Sequence, residues 1–209
     1  MATENLRVAV LGAGNIGGTI GRKWAHAGYQ VTFGVQDPNG KNAQALRSEL
    51  GEQVKIGTVA DALSSNPVVV LLAVPGGAME TTIAQYASQL DGRIIIDSAN
   101  RMGAPVMNSF DALSQHTPQA RIYRAFNIYG FENFANPEYQ GVQADLFYCG
   151  SDGDSRPVVE QLISAVGLRP VYLGGVEQVR VVDSITGLWF SLAIGQKKGR
   201  HLAFKVLDR

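Results

Sequence analysis

Cysteine is almost absent: Cys149 stands alone among 209 residues. No internal disulfide can form, and its neighbours Leu146-Phe147-Tyr148 suit a small buried side chain better than a reactive thiol. Net charge is absent too. Lysine plus arginine equals aspartate plus glutamate at 18 each, so no global field draws the chain toward nucleic acid or an acidic membrane, and a small molecule is the expected partner. Charged residues make up only 17% against 45% hydrophobic, which leaves apolar surface for self-association and predicts a homo-oligomer. No apolar segment approaches bilayer length, and the first residues lack a basic, apolar, cleavable leader, so the expected compartment is the cytoplasm. The three histidines are scattered: His26 in a helix, His116 in a loop, His201 near the end. They offer neither a His–Asp nor a Cys–His pair and no metal-ligand spacing. Repeats, charge blocks and low-complexity linkers are missing as well, so the parts should pack as one rigid body.

What is present begins with Arg7-Val8-Ala9-Val10-Leu11, which runs into Gly12-Ala13-Gly14-Asn15-Ile16-Gly17 and then into a helically periodic segment over 16–27. A strand, a GxGxxG turn and a helix in that order form a dinucleotide fingerprint, whereas the glycines alone would be an ordinary turn. Gly12 permits the tight turn, Gly14 lets backbone approach a pyrophosphate, and Gly17 lets the helix pack on the strand. Free amides and the positive end of the dipole then hold the anion without a charged side chain. Asn15 and Ile16 head this helix, and Asn15 doubles as a candidate N-cap.

Gly28 stops the helix, and 30–35 predicts a second strand parallel to the first. Asp37-Pro38-Asn39-Gly40 reads as a turn, 42–50 as a helix with Ala45, Leu46 and Leu50 inward, and Thr58 as an N-cap. The branched run 68–74 is typical of a parallel strand covered on both faces. Pro75-Gly76-Gly77 closes it, and a helix over 78–90 follows. Further strands are expected at 93–97, 121–126, 145–149 and 168–173, with a helix at 155–166. This alternation predicts an α/β protein with a Rossmann-type, doubly wound, mainly parallel sheet and a small C-terminal helical part. Residues 1–125 are the expected dinucleotide-binding core. Residues 126–209 form the smaller part, packed on the core and contributing to the acceptor site and dimerisation. Within it, 179–196 carries Val182, Ile185, Leu188, Trp189, Leu192 and Ala193 at helical spacing, either a core helix lying across the sheet or one shared between subunits.

Ligands in open parallel sheets bind beyond the carboxyl ends of the strands. The loop after Val35 should separate NAD from NADP, since an acid there binds ribose hydroxyls and an arginine a 2′-phosphate. Val35 and Gln36 supply neither, Asp37 comes late and suits the turn before Pro38, and Lys41 is either a phosphate ligand or a solvated side chain. Ala73, Val74 and Pro75 offer close backbone contact to a ribose and nicotinamide, although Pro75 also suits the first position of a helix. Asp97-Ser98-Ala99-Asn100 is positioned to orient the nicotinamide side, and Asp97 equally suits a turn cap. In the loop 125–131, Asn127 is a candidate carboxamide ligand, and Phe126, Tyr129 and Phe131 either wall a flat heterocycle or fill the core. No general base is evident. That favours hydride transfer between two carriers, which needs orientation within roughly 3 to 3.5 Å and exclusion of water rather than protein acid–base chemistry.

Several segments together resemble the F420-dependent NADP reductase family: Val8-Ala9-Val10-Leu11-Gly12, Leu72-Ala73-Val74-Pro75, Ile96-Asp97-Ser98-Ala99-Asn100, Ala125-Phe126-Asn127, and the tail Gly199-Arg200-His201-Leu202-Ala203-Phe204-Lys205-Val206-Leu207. The resemblance implies a homodimer that moves hydride between NADP(H) and a deazaflavin, or a flavin-like acceptor, lying over the nicotinamide near Pro75, Asn100 and Asn127. No catalytic side chain and no metal would be needed. Val35-Gln36 departs from the serine and arginine of that family, which leaves NAD(H) open as the coenzyme. Two other readings stand beside it. One is a reductase of a small imine or carbonyl, as in pyrroline-carboxylate reductases, with Tyr129 or His201 as proton donor; the other is a non-enzymatic NADP(H) sensor.

Overall fold

The computed structural model describes residues 6–209; the leader expectation falls partly on residues 1–5, outside the described residues. In chain order the elements are β1 (Arg7–Leu11), α1 (Asn15–His26), β2 (Gln30–Val35), α2 (Lys41–Leu50), β3 (Val54–Thr58), α3 (Val59–Ser64), β4 (Val69–Leu72), α4 (Met79–Gln85), α5 (Ala87–Leu90) and β5 (Ile94–Asp97). Then come α6 (Phe110–His116), β6 (Arg121–Arg124), α7 (Phe131–Ala135), the hairpin β7 (Glu138–Tyr139) and β8 (Val142–Gln143), β9 (Asp145–Gly150), α8 (Arg156–Val166), β10 (Arg169–Tyr172) and α9 (Val179–Phe190).

Eight strands form one sheet in the order β10-β9-β6-β5-β4-β1-β2-β3. The run from β3 through β6 is parallel throughout, β9 joins β6 antiparallel, and β10 runs parallel to β9. This is the doubly wound, mainly parallel sheet expected, with β1 and β4 side by side at the point where the winding reverses. The two-residue period of a strand divides β1 between two cores. Val8 and Val10 face α1, α8 and α9, whereas Ala9 and Leu11 face α3, α4 and α6. Covered on both faces, the strand needs no polar side, which is why its sequence reads as one apolar run.

Several boundaries differ from expectation. Strand β4 is shorter than 68–74, yet Val68 N–H donates to Arg7 O (2.9 Å) and Ala73 N–H to Leu11 O (2.9 Å), so the ladder frays outward at both ends. The helix expected over 78–90 breaks at Tyr86 (φ −110°, ψ 19°) into α4 and α5. On α2 the inner face is Ala43, Leu46 and Leu50, and Ala45 is exposed. His116 ends α6 rather than lying in a loop. The helix expected over 179–196 is α-helical only through Phe190 and finishes in a π turn, Ser191–Gly195, closed by Gln196 N–H to Ser191 O at 2.8 Å. It buries Val182, Trp189 and Ala193 against the core but leaves Val181 and Leu188 exposed. Cys149 is buried, and that burial pushes its thiol up to about 12, the inert state expected.

Beyond the π turn the tail has no regular structure and is pinned by side chains. Trp189 Nε1 donates to Leu202 O (2.7 Å) and Phe204 N–H to the Tyr129 hydroxyl (2.9 Å). The buried Asp145 carboxylate gathers both Arg169 nitrogens at 2.7 Å, Lys205 Nζ at 3.1 Å and Val206 N–H at 2.7 Å. Burial alone would raise the Asp145 pKa, but these donors together hold it below the usual carboxylate value. With the folded value depressed, the stabilisation is complete above the unfolded pKa of about 3.9 and is lost as pH falls through the lower folded value. Asp145→Asn should therefore cost about 1–3 kcal/mol and expose the tail to trypsin at Lys205 at neutral pH. Wild-type resistance to trypsin in that variant would show that the tail is held by other contacts.

Candidate active site

Along the carboxyl edge of β1, β2 and β4 lies an open cleft of about 1040 Å³, walled by Gly12, Ala13, Gly14, Asn15 and Ile16 on one side and by Ala73, Val74 and Pro75 on another. A smaller cavity of about 220 Å³ adjoins it through Ile16, Ala73, Val74 and Pro75 and is lined further by Ser98, Ala99, Asn100, Phe126, Asn127 and Tyr129. The structure thus brings together the loops that sequence placed at the strand ends.

The three fingerprint glycines have three different surroundings. Gly12 sits at φ +109°, and a Cβ there would lie 2.4 Å from Ala73 O. A Cβ on Gly17 would lie 2.1 Å from Gly12 O, so Gly17 serves helix–strand packing and does not line the cleft. A Cβ on Gly14 would meet nothing within 4 Å. Gly14 is also the N-cap of α1, with extended backbone and no side-chain cap, and the first turn carries no acid. Asn15 is therefore the first helical residue and not the N-cap. Bare amides face open space at this point, a cradle fitted to a diphosphate.

Beyond β2 the cleft is lined by Val35, Gln36, Asp37, Gly40, Lys41 and Asn42. Asp37 is turned into its own loop, accepting from Asn39 N–H at 2.9 Å, as its place before Pro38 predicted. Gly40 caps α2 without any side-chain bond, and α2 likewise has no acid in its first turn. The opposite wall comes from β3 and α4, through Thr58, Val59, Ala78, Thr81, Thr82, Gln85 and Tyr86. Sequence reading missed β3. The alternation Val54-Lys55-Ile56 was its only signal, whereas Thr58 is the N-cap expected and closes a capping box with Asp61.

In the smaller cavity the peptide of Phe126 is held at φ +62°, a left-handed conformation that costs a non-glycine residue of order 1 kcal/mol. Edge-on packing of its ring against Trp24 (5.9 Å) and Phe134 (5.8 Å) holds it there. Phe126 and Tyr129 are buried core residues that also line the cavity, and Phe131 is not part of its lining. Asn127 is 2% exposed; its Nδ2 donates to Thr186 Oγ1 at 2.9 Å, its carbonyl accepts from Asn100 Nδ2 at 2.8 Å, and its Oδ1 has no partner. An orphaned buried acceptor is expensive, and here it belongs to a residue lining a cavity of nicotinamide size. Tyr129 hydroxyl donates to Asp145 O (2.7 Å) and accepts from Phe204 N–H, and burial pushes its pKa far above the usual tyrosine value. His201 is exposed and outside the lining. Asp97, expected near the nicotinamide, is wholly buried behind the loop and bonded to Ala99 N–H and Ser109 N–H. Among the described residues no cluster of His, Cys, Asp and Glu has metal-site geometry, and no helix is long and apolar enough to cross a membrane.

Comparison with known proteins agrees with this geometry. Residues 7–101 match the family described as NADP oxidoreductase coenzyme F420-dependent. The F420-dependent NADP reductase of Methanocaldococcus jannaschii is 28% identical over 157 residues, covering 67% of this chain and 69% of that protein. That of Methanothermobacter thermautotrophicus is 25% identical over 224 residues, covering 97% and 95%. The rat metalloreductase STEAP3 is 23% identical over 87% of this chain, which spans only 36% of that protein's length. Among solved structures, a candidate F420-dependent NADP reductase from Arthrobacter sp. FB24 superposes with a TM-score of 0.83 at 23% identity, covering 97% of this chain and 100% of that one. An imine reductase from Pseudomonas sp. superposes at 0.66 with 15% identity, covering 90% and 62%. At those identities the two structures establish the fold alone. Over residues 7–101 the chain is similar to the coenzyme F420-dependent NADP oxidoreductase family, a likeness that its curated relatives share.

Proposed function

We propose that the chain is an NADP(H)-dependent oxidoreductase that passes hydride directly between nicotinamide and a flat acceptor ring of the deazaflavin (F420) or flavin type. The observation that carries this reading is the chemistry of the smaller cavity. Its one titratable lining residue, Tyr129, has both hydrogen-bonding roles of its hydroxyl committed to Asp145 and Phe204. Reduction of an imine or carbonyl puts the hydride on carbon and needs a proton donor at the nitrogen or oxygen of the same double bond; transfer between two rings does not, because the balance NADPH + acceptor + H⁺ → NADP⁺ + reduced acceptor draws its proton from water at a ring nitrogen. When bound, the dinucleotide supplies the hydride, and the protein supplies binding, orientation and a dry pocket.

The residues divide that work. Gly12 and Gly17 shape the turn, Gly14, Asn15 and Ile16 present amides to the diphosphate, and Ala73, Val74 and Pro75 bring backbone against the ribose. Asn100 and Asn127 face the carboxamide. Val35, Gln36 and Lys41 lie where the adenosine ribose ends. With no acid at Val35 or Gln36 and Asp37 turned away, this end favours a 2′-phosphate near Lys41 and the uncapped α2 terminus over a bare diol. The acceptor end falls to residues 126–209, the smaller part, whose α9 leaves Val181 and Leu188 open for a homodimer partner.

Titration with NADPH and NADH, followed by rapid mixing with F420, FMN and pyrroline-5-carboxylate while nicotinamide absorbance is recorded, tests the reading. NADPH should bind more tightly than NADH and be oxidised by a ring acceptor. Oxidation by the imine alone would establish the pyrroline-carboxylate-reductase alternative, and tight binding without any oxidation would leave the sensor.

A further inference from the structure

We infer that Arg124 is the positioning residue of the nicotinamide pocket, fixing Asn100 on one side and, through Asp183 and α9, Asn127 on the other. The inference rests on placing nicotinamide in the smaller cavity, as proposed above. Arg124 is completely buried at the end of β6, outside that cavity's lining. Its guanidinium fork is fully used. Nε donates to Asp183 Oδ1 (2.9 Å), Nη1 to Ala99 O (2.5 Å) and toward the Asp97 carboxylate (3.1 Å), and Nη2 to Asn100 Oδ1 (2.6 Å). Stability alone does not call for such a group, since a buried ion cluster is commonly no better than well-packed apolar side chains.

What the cluster does supply is orientation. With Asn100 Oδ1 taken by Arg124, the Asn100 amide can only donate onward, and its Nδ2 reaches Asn127 O at 2.8 Å. Asp183 is clamped from the other side by Asn108 Nδ2 at 2.7 Å. That fixes the face of α9 on which Thr186 lies three residues further along. Thr186 Oγ1 then takes Asn127 Nδ2, and the amide of Asn127, a residue of the cavity lining, is left with a buried, unpartnered Oδ1. The geometry assigns this oxygen to an N–H₂ donor such as the nicotinamide carboxamide. Without Arg124, both asparagine amides lose the contacts that choose their rotamers.

The test separates the nicotinamide half of the ligand from the rest. Wild-type protein should bind NADPH more tightly than 2′,5′-ADP, which lacks the nicotinamide. Arg124→Lys, which keeps the charge but not the fork, should weaken NADPH about tenfold and Thr186→Val about threefold, the loss of roughly one hydrogen bond, with 2′,5′-ADP unchanged in both. Thr186→Ser, which keeps the hydroxyl, should bind both like wild type. An unchanged NADPH to 2′,5′-ADP ratio in both variants, or parallel weakening of both ligands, would overturn the assignment. If Arg124→Lys shows no cooperative melt, the Thr186→Val and Thr186→Ser pair decides by the same ratio. Equal binding of the two ligands by wild type would instead remove the nicotinamide from this cavity, and the proposed placement with it.

Discussion

Gly14→Val should lower NADPH affinity at least about a hundredfold, roughly 2.7 kcal/mol, while the variant melts at the wild-type temperature. The two halves of that expectation have separate causes. The fold tolerates the side chain because Gly14 has extended, negative-φ backbone, a Cβ there meets nothing within 4 Å, and its carbonyl keeps its bond to Gly18 N–H at 2.7 Å. Binding does not tolerate it, because the isopropyl group would stand in front of the free amides at the head of α1, where the diphosphate belongs. The neighbouring glycines should behave in the opposite way. A Cβ on Gly12 would sit 2.4 Å from Ala73 O and one on Gly17 2.1 Å from Gly12 O, so even alanine forces backbone apart and should reduce folded yield. Fluorescence titration with NADPH beside a thermal melt separates the cases. Wild-type affinity in Gly14→Val would place the diphosphate elsewhere.

The glycine fingerprint was legible because every step of it is local: strand, turn and helix adjoin in sequence, and Gly12 and Gly17 answer contacts within that unit or with Ala73 just beyond β4. The same holds for β2, whose limits 30–35 match, and for the N-cap at Thr58. What escaped was set by partners distant in the chain. Strand β3 is a five-residue sheet edge that forms because β2 offers it a ladder. Helix α6 spans only seven residues and has too little length to show a helical period. Ala43 is buried in place of Ala45 because the direction from which α1 and β3 cover α2 is a tertiary fact. In the site, Asn127 was recognisable as an amide in a strand-end loop. Its unpartnered Oδ1 was not, since that depends on Thr186, 59 residues away. The Arg124 cluster was invisible for the same reason: Asp97 and Asn100, Arg124 and Asp183 come from three separated segments, and an arginine at the end of a strand reads as a solvated side chain. Of the aromatics of the 125–131 loop, for which heterocycle walls and core filling were both open, Phe126 and Tyr129 went to the core and Phe131 is half-buried outside it.

Trp24→Ala should cost about 4 kcal/mol and, for a chain of this size, lower Tm by roughly 10 °C. Trp24 is fully buried on α1, packs edge-on to Phe126 with ring centroids 5.9 Å apart, and donates Nε1–H to Leu162 O of α8 at 2.8 Å. Truncation opens a cavity and removes the indole hydrogen bond that ties α1 to α8, two costs that act together. The position matters because α1 begins at the glycine turn and ends against α7 and α8, so Trp24 ties the helix proposed to receive the coenzyme to the part proposed to frame the acceptor side. Its ring also supports the left-handed peptide of Phe126, next to Asn127. The variant should therefore melt in a single transition, as a chain cored on both sides of one sheet requires. Saturating NADPH should raise that Tm, because the coenzyme binds only the folded state, though by less than in wild type once the Phe126 turn has lost its support. Two separate transitions, with only one shifted by the substitution, would show that residues 126–209 fold independently of the core.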